Sequence, residues 1–564
     1  MLPRAFRRAG TGVLISAVAG GVLLSATGEA AATAGPSSRK KAAAAAVDRY
    51  DAQKLRWRAC LDRDEMPGLP DDYYRLECAT LLAPRDWNVP EGGVDIRLKV
   101  SRLKSTTATK PGMLFTNPGG PGADGADLPL LMVSARRKKL MAGQDIYGMD
   151  VRGGGGSSNI TCGGAQNLTA DPRLRSDASV NLQLDAAELT ARACDVAGRE
   201  LSQYVTTPQT IQDVDLLRRI AGHDRVNWLG FSAGTWMGAH YATRFPEHAG
   251  HLVFDSNVEF TSTWENAFSR QPLGFQRRFE QDFAPWVAKY HSVYGLGSTP
   301  QAVIASYEKL RARMTPDAPV QDAVTLDDVI AGTMYAKVLF PDAAASLADL
   351  NGYLRAQGSG KFRTADQYAA KVRKSVALIQ RDGMSNTFSG DANSSVFLAV
   401  TCQDTPWNAS RGSLVKSSAE AGKNYPLIGW STIDQPCAFW NRPAGVDLPT
   451  PTGHGVPPVL MVQSVNDPAT PIEGARAAAA NFEGARLLTV TGEGDHGLYA
   501  GGNSCVDKKV DDFILNGKLP AAGATCKGTA MPDPTAVGAM SAARLPVRGT
   551  NPLLALRQIS ELVH

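Results

Sequence analysis

The chain has 564 residues, of which 43% are hydrophobic and 20% charged. That is enough apolar material for one large core or two ordinary ones, and it is not the composition of a disordered chain. Lys and Arg number 59 against 55 Asp and Glu, a net charge of +4 with no basic block in the body of the chain, which argues against nucleic-acid binding.

Arg4, Arg7 and Arg8 precede an apolar run from Gly12 to Ala26, and the small residues Ala30-Ala31-Ala32-Thr33-Ala34 follow it. A positive start, roughly 15 apolar residues and an Ala-x-Ala site are the parts of a secretory signal, expected over residues 1–34. The run is too short and too rich in Gly and Ala for a membrane anchor, and no later stretch reaches the roughly 18 apolar residues a span needs. Export and no stable membrane association are therefore expected. Residues 35–47, with the basic and alanine-rich Ser37 to Ala46, read as a linker or a trimmed pro-segment. Loss of residues 1–41 removes six basic residues and one acidic residue, so the net charge moves from +4 to about −1.

In an exported chain the eight cysteines become a disulfide question. They fall in four sequence-local couples: Cys60 and Cys78, Cys162 and Cys194, Cys402 and Cys437, Cys505 and Cys526. Nearest-neighbour pairing is the working hypothesis among the 105 connectivities that eight cysteines allow. There is no Cys-x-x-Cys and no Cys/His cluster, so no metal is expected.

Strands and helices then alternate. Val94 to Leu103 alternates apolar and polar residues, and Gly112 to Phe115 and Asp145 to Met149 are short buried-strand candidates running into glycine-rich turns. A helical pattern over Thr210 to Ile220 leads to the strand candidate Val226 to Leu229. A helix over Ala233 to Phe245 and a strand over His251 to Phe254 follow. Pro458 to Gln463 and Arg486 to Val490 resume the strand pattern. Strands separated by helices predict an α/β fold, a mostly parallel sheet covered on both faces. Residues 260–400 differ: Val303, Tyr307, Leu310 and Met314, then Leu326, Ile330, Met334 and Val338, recur at helical spacing. They predict a helical insertion.

Four turns after strands carry the chemistry. Gly230-Phe231-Ser232-Ala233-Gly234 fits G-x-S-x-G between a strand and a helix, the setting that lifts a serine hydroxyl above a sheet at a helix N-terminus. The alternative is a serine that only caps the helix. With Ser232 as nucleophile the expected order is Ser, acid, His. Of the four histidines beyond it, His496 alone sits just past a strand, in Gly494-Asp495-His496-Gly497, and is the candidate general base. Asp467, after the strand ending at Gln463, is the candidate acid; Asp404 and Asp495 are rivals. Asn117-Pro118-Gly119-Gly120-Pro121-Gly122 follows another strand, and its glycines allow backbone N–H groups to approach a ligand oxygen as an oxyanion hole requires, together with the Ala233 N–H. A phosphate cradle fits less well, because the GK[ST] ending of a P-loop is missing.

Together with Asp150-Val151-Arg152-Gly153, Gly155 and Ser157, these motifs occur in an order that resembles the prolyl-aminopeptidase-like α/β-hydrolases, and more closely the secreted tripeptidyl aminopeptidases of Streptomyces and related actinobacteria. The segments around Cys402, Cys437 to Trp440, and Ser504 to Cys526 share the resemblance, which covers about residues 55–527. It implies an α/β-hydrolase core in two parts, 48–258 and 401–527, and a helical cap over 259–400; residues 528–564 are left as a tail. The sites implied are Ser232, Asp467 and His496, an oxyanion hole near Gly120 and Ala233, and a structural loop at Asp150 and Arg152. Two departures stand out: Asp495 occupies a position where Gly is common, and the tail beyond Cys526 does not align.

An exopeptidase also has to hold a free α-amino group, and Asp404 and Glu259, near the junctions of cap and core, are candidates for that carboxylate. The expected protein is a secreted serine exopeptidase that releases tripeptides from peptides with a free N-terminus and needs no cofactor. The alternatives are a secreted carboxylesterase or other amide or ester hydrolase, since a triad serves any acyl transfer, and a binding protein on a dead hydrolase scaffold. Epoxide hydrolase chemistry is not expected, because the elbow carries Ser rather than Asp.

Overall fold

The computed structural model describes residues 36–535, apart from residue 65 and the segments 108–109, 165–169, 315–321, 383–389 and 442–445. The secretory signal expected over 1–34 and the tail from 536 onward lie outside the described residues.

Ten strands form one sheet: β1 (Arg58–Ala59), β2 (Leu76–Pro84), β3 (Asp95–Leu103), β4 (Gly112–Asn117), β5 (Gln144–Met149), β6 (Val226–Phe231), β7 (Ala249–Asp255), β8 (Val459–Ser464), β9 (Ala485–Thr491) and β10 (Thr525–Lys527). Their spatial order is β1-β2-β3-β5-β4-β6-β7-β8-β9-β10. β1 with β2, β2 with β3, and β3 with β5 pair antiparallel; every pairing from β5 to β10 is parallel. Parallel strands need helical crossovers that cover both faces, and this accounts for β8, all six of whose residues are buried.

On one face the helices Thr207–Ala221 and Ala233–Arg244 pack through Ile211, Val214, Trp236 and Ala239. On the other, Leu130–Ser134, Lys138–Gly143 and Ser504–Asn516 pack through Leu131, Leu140, Val510 and Phe513. Trp228, in the middle of β6, is fully buried between Phe115 and Tyr241. These are the layers of an α/β-hydrolase fold.

Between β7 and β8 the chain is helical, with its own core of Phe279, Phe283, Val303, Tyr307, Ile330 and Leu347. The helix Pro300–Arg311 takes in Val303, Tyr307 and Leu310 and the helix Ala323–Thr333 takes in Leu326 and Ile330, while Met314, Met334 and Val338 lie beyond their ends. The helical region runs further than expected. Beyond residue 400 come the helix Arg411–Asn424 and short helices at Gly429–Ile433 and Pro436–Phe439, and the core resumes only at β8. The Cys402–Cys437 bridge closes this stretch onto the helix Ala392–Gln403.

A second difference concerns residues 35–47, which read as a linker. A helix spans Pro36–Asp51, as suits an alanine run. Tyr50 at its end is buried and donates to Asp95 at 2.7 Å, which fastens the helix to β3. All four cysteine couples are bridged as nearest neighbours. Among the described residues no helix is long and apolar enough to cross a membrane. No group of three or more metal-binding side chains is found among them either.

Candidate active site

Six parallel strands, β4 to β9, release their loops at the same edge of the sheet, where parallel α/β folds place their sites. β6 delivers Ser232 at the N-cap of the helix Ala233–Arg244, with φ 54° and ψ −126°. A left-handed φ on a residue with a Cβ is uncommon and is the mark of a tight strand-to-helix elbow. Its neighbours allow it. A Cβ on Gly230 would lie 2.3 Å from the Gly234 carbonyl oxygen, and one on Gly234 would lie 2.6 Å from the carbonyl oxygen of Asn117. The Ser232 N–H donates to the Asp255 carbonyl at 3.0 Å, tying the elbow to the end of β7.

The turn after β4 is keyed into that elbow. A Cβ on Gly119 would meet the Phe231 carbonyl oxygen at 2.4 Å, so only glycine permits the approach. Gly120 then lines the same cavity as Ser232 and Ala233.

β8 and β9 bring in Asp467 and His496. Asp467 is fully buried; its Oδ1 accepts the N–H groups of Ala469 and Thr470 at 3.0 and 2.8 Å. His496 Nδ1 lies 3.0 Å from Asp467 Oδ1 and 3.1 Å from Oδ2, and 3.3 Å from Thr470 Oγ1. The two loops are laced to each other: the Asn466 N–H donates to the Glu493 carbonyl at 3.0 Å and the Ser464 hydroxyl to the Asp495 carbonyl at 3.0 Å. Asp255 supports the far side, accepting the N–H groups of Leu498 and Tyr499 at 3.1 and 2.7 Å. Burial pushes the Asp255 carboxyl up to about 6, against the pull of those donors.

The loop after β5 lies beneath. Asp150 accepts the N–H groups of Gly125 and Ala126, both at 2.9 Å, and so fixes the segment that follows the NPGGPG turn. Arg152 is completely enclosed and meets Asp213 through both nitrogens of its fork side.

The two carboxylates singled out for an α-amino group part company. Glu259 lines the cavity that also contains Ser232, and its Oε2 accepts from Arg270 Nε at 2.7 Å. Asp404 does not reach that cavity. It is buried, with Oδ1 accepting the Thr207 N–H at 2.8 Å and Oδ2 facing Trp236 Nε1 at 3.2 Å, and burial raises it to about 6. Its place is under the floor, where it holds Trp236, which stacks on Trp264 of the cavity wall at 4.3 Å.

Asp495 lies beside His496 in sequence but turns away from Asp467, toward Arg278 Nη2 at 2.5 Å. Thr470 lies within the run Asn466-Asp467-Pro468-Ala469-Thr470-Pro471 that carries Asp467, whereas Asp255, Arg270 and Tyr335 belong to none of the sequence motifs. Asp255 does carry a detectable signal, since it closes β7. Arg270 and Tyr335 reach the site only through the fold of the cap.

Two family models match the chain. One described as alpha/beta hydrolase fold matches residues 113–292, which include Gly120 and Ser232; one described as TAP-like protein matches residues 425–526, which include Asp467 and His496. A tripeptidyl aminopeptidase of Streptomyces lividans is 32% identical over 472 residues, covering 81% of this chain and 85% of its own. Serine protease Hip1 of Mycobacterium tuberculosis is 28% identical over 84% of this chain and 91% of its own. A carboxylesterase B of the same species is 28% identical over 90% and 96%. With the sheet order, the elbow and these matches together, the chain belongs to the tripeptidyl-aminopeptidase-like serine peptidases of the α/β-hydrolase family.

Proposed function

We propose that the chain is a secreted exopeptidase that releases tripeptides from the free N-terminus of peptides through Ser232, His496 and Asp467. Ser232 Oγ attacks the carbonyl of the third peptide bond while His496 Nε2 takes its proton. The N–H groups of Gly120 and Ala233 hold the oxyanion. His496 returns the proton to the leaving amine, and a water activated by the same imidazole hydrolyses the acyl-enzyme. Asp467 keeps the Nδ1–H tautomer and offsets the imidazolium charge. The steps are complete with side-chain and backbone groups alone.

The observation that carries the exopeptidase reading is Glu259, a mostly buried carboxylate in the wall of the cavity that holds Ser232. An α-ammonium group entering that cavity would meet an acceptor held in place by Arg270. The 32% identity to a tripeptidyl aminopeptidase supports the unit released. Export is supported by four disulfides and by the leader-like start of the chain.

Comparing an alanyl tripeptide anilide with its N-acetylated form tests the reading. The free form is expected to be cleaved at least a hundredfold faster, and Ser232→Ala to abolish both reactions. Equal rates would favour the second reading, a carboxylesterase, which the similarity to carboxylesterase B supports.

A further inference from the structure

The loop that carries His496 does not rest on the core alone. Three of its positions are gripped by the cap. The His496 N–H donates to the Tyr335 carbonyl at 2.9 Å. Asp495 Oδ1 accepts the Lys337 N–H at 2.8 Å and Arg278 Nη2 at 2.5 Å. Glu493 Oε2 accepts from Lys337 Nζ at 2.5 Å. Arg278 is fully enclosed and also bonds Asp282 Oδ2 at 2.5 Å and the Met334 carbonyl at 3.2 Å, so the guanidinium fastens the cap segment and the loop to one another. A Cβ on Gly494 would fall 2.0 Å from Arg278 Nη1, so the loop has glycine where the arginine passes.

Tyr335 does more than offer its carbonyl. Its ring stands edge-on to the His496 imidazole, with centroids 5.4 Å apart and planes at 85°. The hydroxyl is pushed up to about 12 by burial and by the Asp467 charge, so it stays neutral beside that carboxylate. The imidazole is thus bounded by Asp467 and Thr470 from the β8 loop and by Tyr335 from the cap. Asp255, with Ser256, adjoins from the end of β7. Behind its own loop lie Glu493, Asp495, Lys337, Arg278 and Asp282.

We infer that Tyr335 is a positioning residue for His496, and that the cap, through Tyr335 and the Arg278–Asp495 pair, sets the orientation in which the imidazole serves Ser232. The inference rests on the triad reading given above. An edge-to-face ring restricts rotation of the imidazole without competing for Nδ1. The Asp at 495, where a glycine would give the loop no side chain to hold, is the loop's anchor on the cap. The cap is then part of the acid–base apparatus as well as a wall of the substrate cavity.

The test uses the full chain and two readouts: the rate at which a fluorophosphonate modifies Ser232, and kcat and KM for a free tripeptide anilide from pH 5 to 9. Tyr335→Leu is expected to lower the modification rate and kcat together by tenfold or more, with KM within twofold, and to displace the acid limb of kcat/KM. Tyr335→Phe keeps the ring and is expected to stay within threefold of the parent. Asp495→Asn, which leaves Tyr335 intact, is expected to lower kcat at unchanged KM; it also serves if the leucine variant does not fold. Unchanged modification of Ser232 in Tyr335→Leu, or equal losses in the Leu and Phe variants with an unmoved acid limb, would overturn the inference. Modification of a residue other than Ser232 in the parent protein would instead overturn the triad reading, and the inference with it.

Discussion

Arg152 and Asp213 meet through two hydrogen bonds, 2.7 Å from Nε and 2.6 Å from Nη2, with neither side chain reaching solvent. The same guanidinium donates to the carbonyls of Arg85 and Tyr204 at 2.8 and 3.2 Å and to that of Pro84 at 3.3 Å. One arginine therefore joins the end of β2, the β5 loop and the helix Thr207–Ala221. A lysine ammonium is a single point and cannot replace a planar fork with this many partners. Arg152→Lys is expected to cost about 3–5 kcal/mol in urea unfolding, the loss typical of a broken buried pair. A loss below about 1 kcal/mol would mean that the loop is held by other contacts.

Asp467→Asn tests the acid directly. The amide can keep one oxygen near His496 Nδ1, so the loop need not move, but it cannot offset an imidazolium charge and can favour the wrong tautomer. kcat on a tripeptide anilide is expected to fall roughly 10³- to 10⁴-fold with KM little changed. A drop of less than about tenfold would transfer the role to another carboxylate, and Asp255, whose N–H partners lie just beyond His496, would be the next to test.

Asp124 gives the fold a pH dependence of defined sign. It follows the NPGGPG turn, accepts from Asn393 Nδ2 of the cap at 3.0 Å, and is raised to about 6 by burial and by the neighbouring Asp150 carboxylate. In the unfolded chain the same carboxyl titrates near its ordinary value of about 3.9. Between pH 4 and 6 the unfolded state loses the proton first, so the folded state loses stability as pH rises. Across that window the loss amounts to a few kcal/mol at most. Asp124→Asn retains an acceptor for Asn393 and removes the titration. Its melting temperature is expected to exceed the parent's at pH 7 and to match it at pH 4. An equal change at both pH values would rule out this carboxyl as the source.

The central strands are legible in the sequence because they are buried on both faces and contain little else than apolar residues, as in Val459–Ser464. Leu76–Pro84 is not, since its buried positions follow neither strict alternation nor a continuous run. Arg58–Ala59 and Thr525–Lys527 are shorter than any periodic window. The alanine run before Asp51 reads as a linker for its low complexity, although alanine is the best helix former and Tyr50 supplies the anchor. At the site, the residues that motifs carry are legible because each follows a strand at the same sheet edge. Glu259 and Asp404 are indistinguishable in sequence: both are acidic residues near a junction of cap and core. What separates them is that Asp404 faces Trp236 under the cavity floor while Glu259 faces the cavity, and that depends on helix packing alone.

Each disulfide closes a short local stretch, with separations of 18 to 35 residues. None joins the half of the chain that bears Ser232 to the half that bears Asp467 and His496. A cut in the cap ahead of Cys402 would therefore leave two pieces with no covalent tie, held by the seam between β7 and β8 and by the cap itself. Ser232 and His496 would then belong to different polypeptides, and their meeting would obey the rules of association between partners. Dilution, which leaves the intact chain indifferent, would dissolve the nicked one.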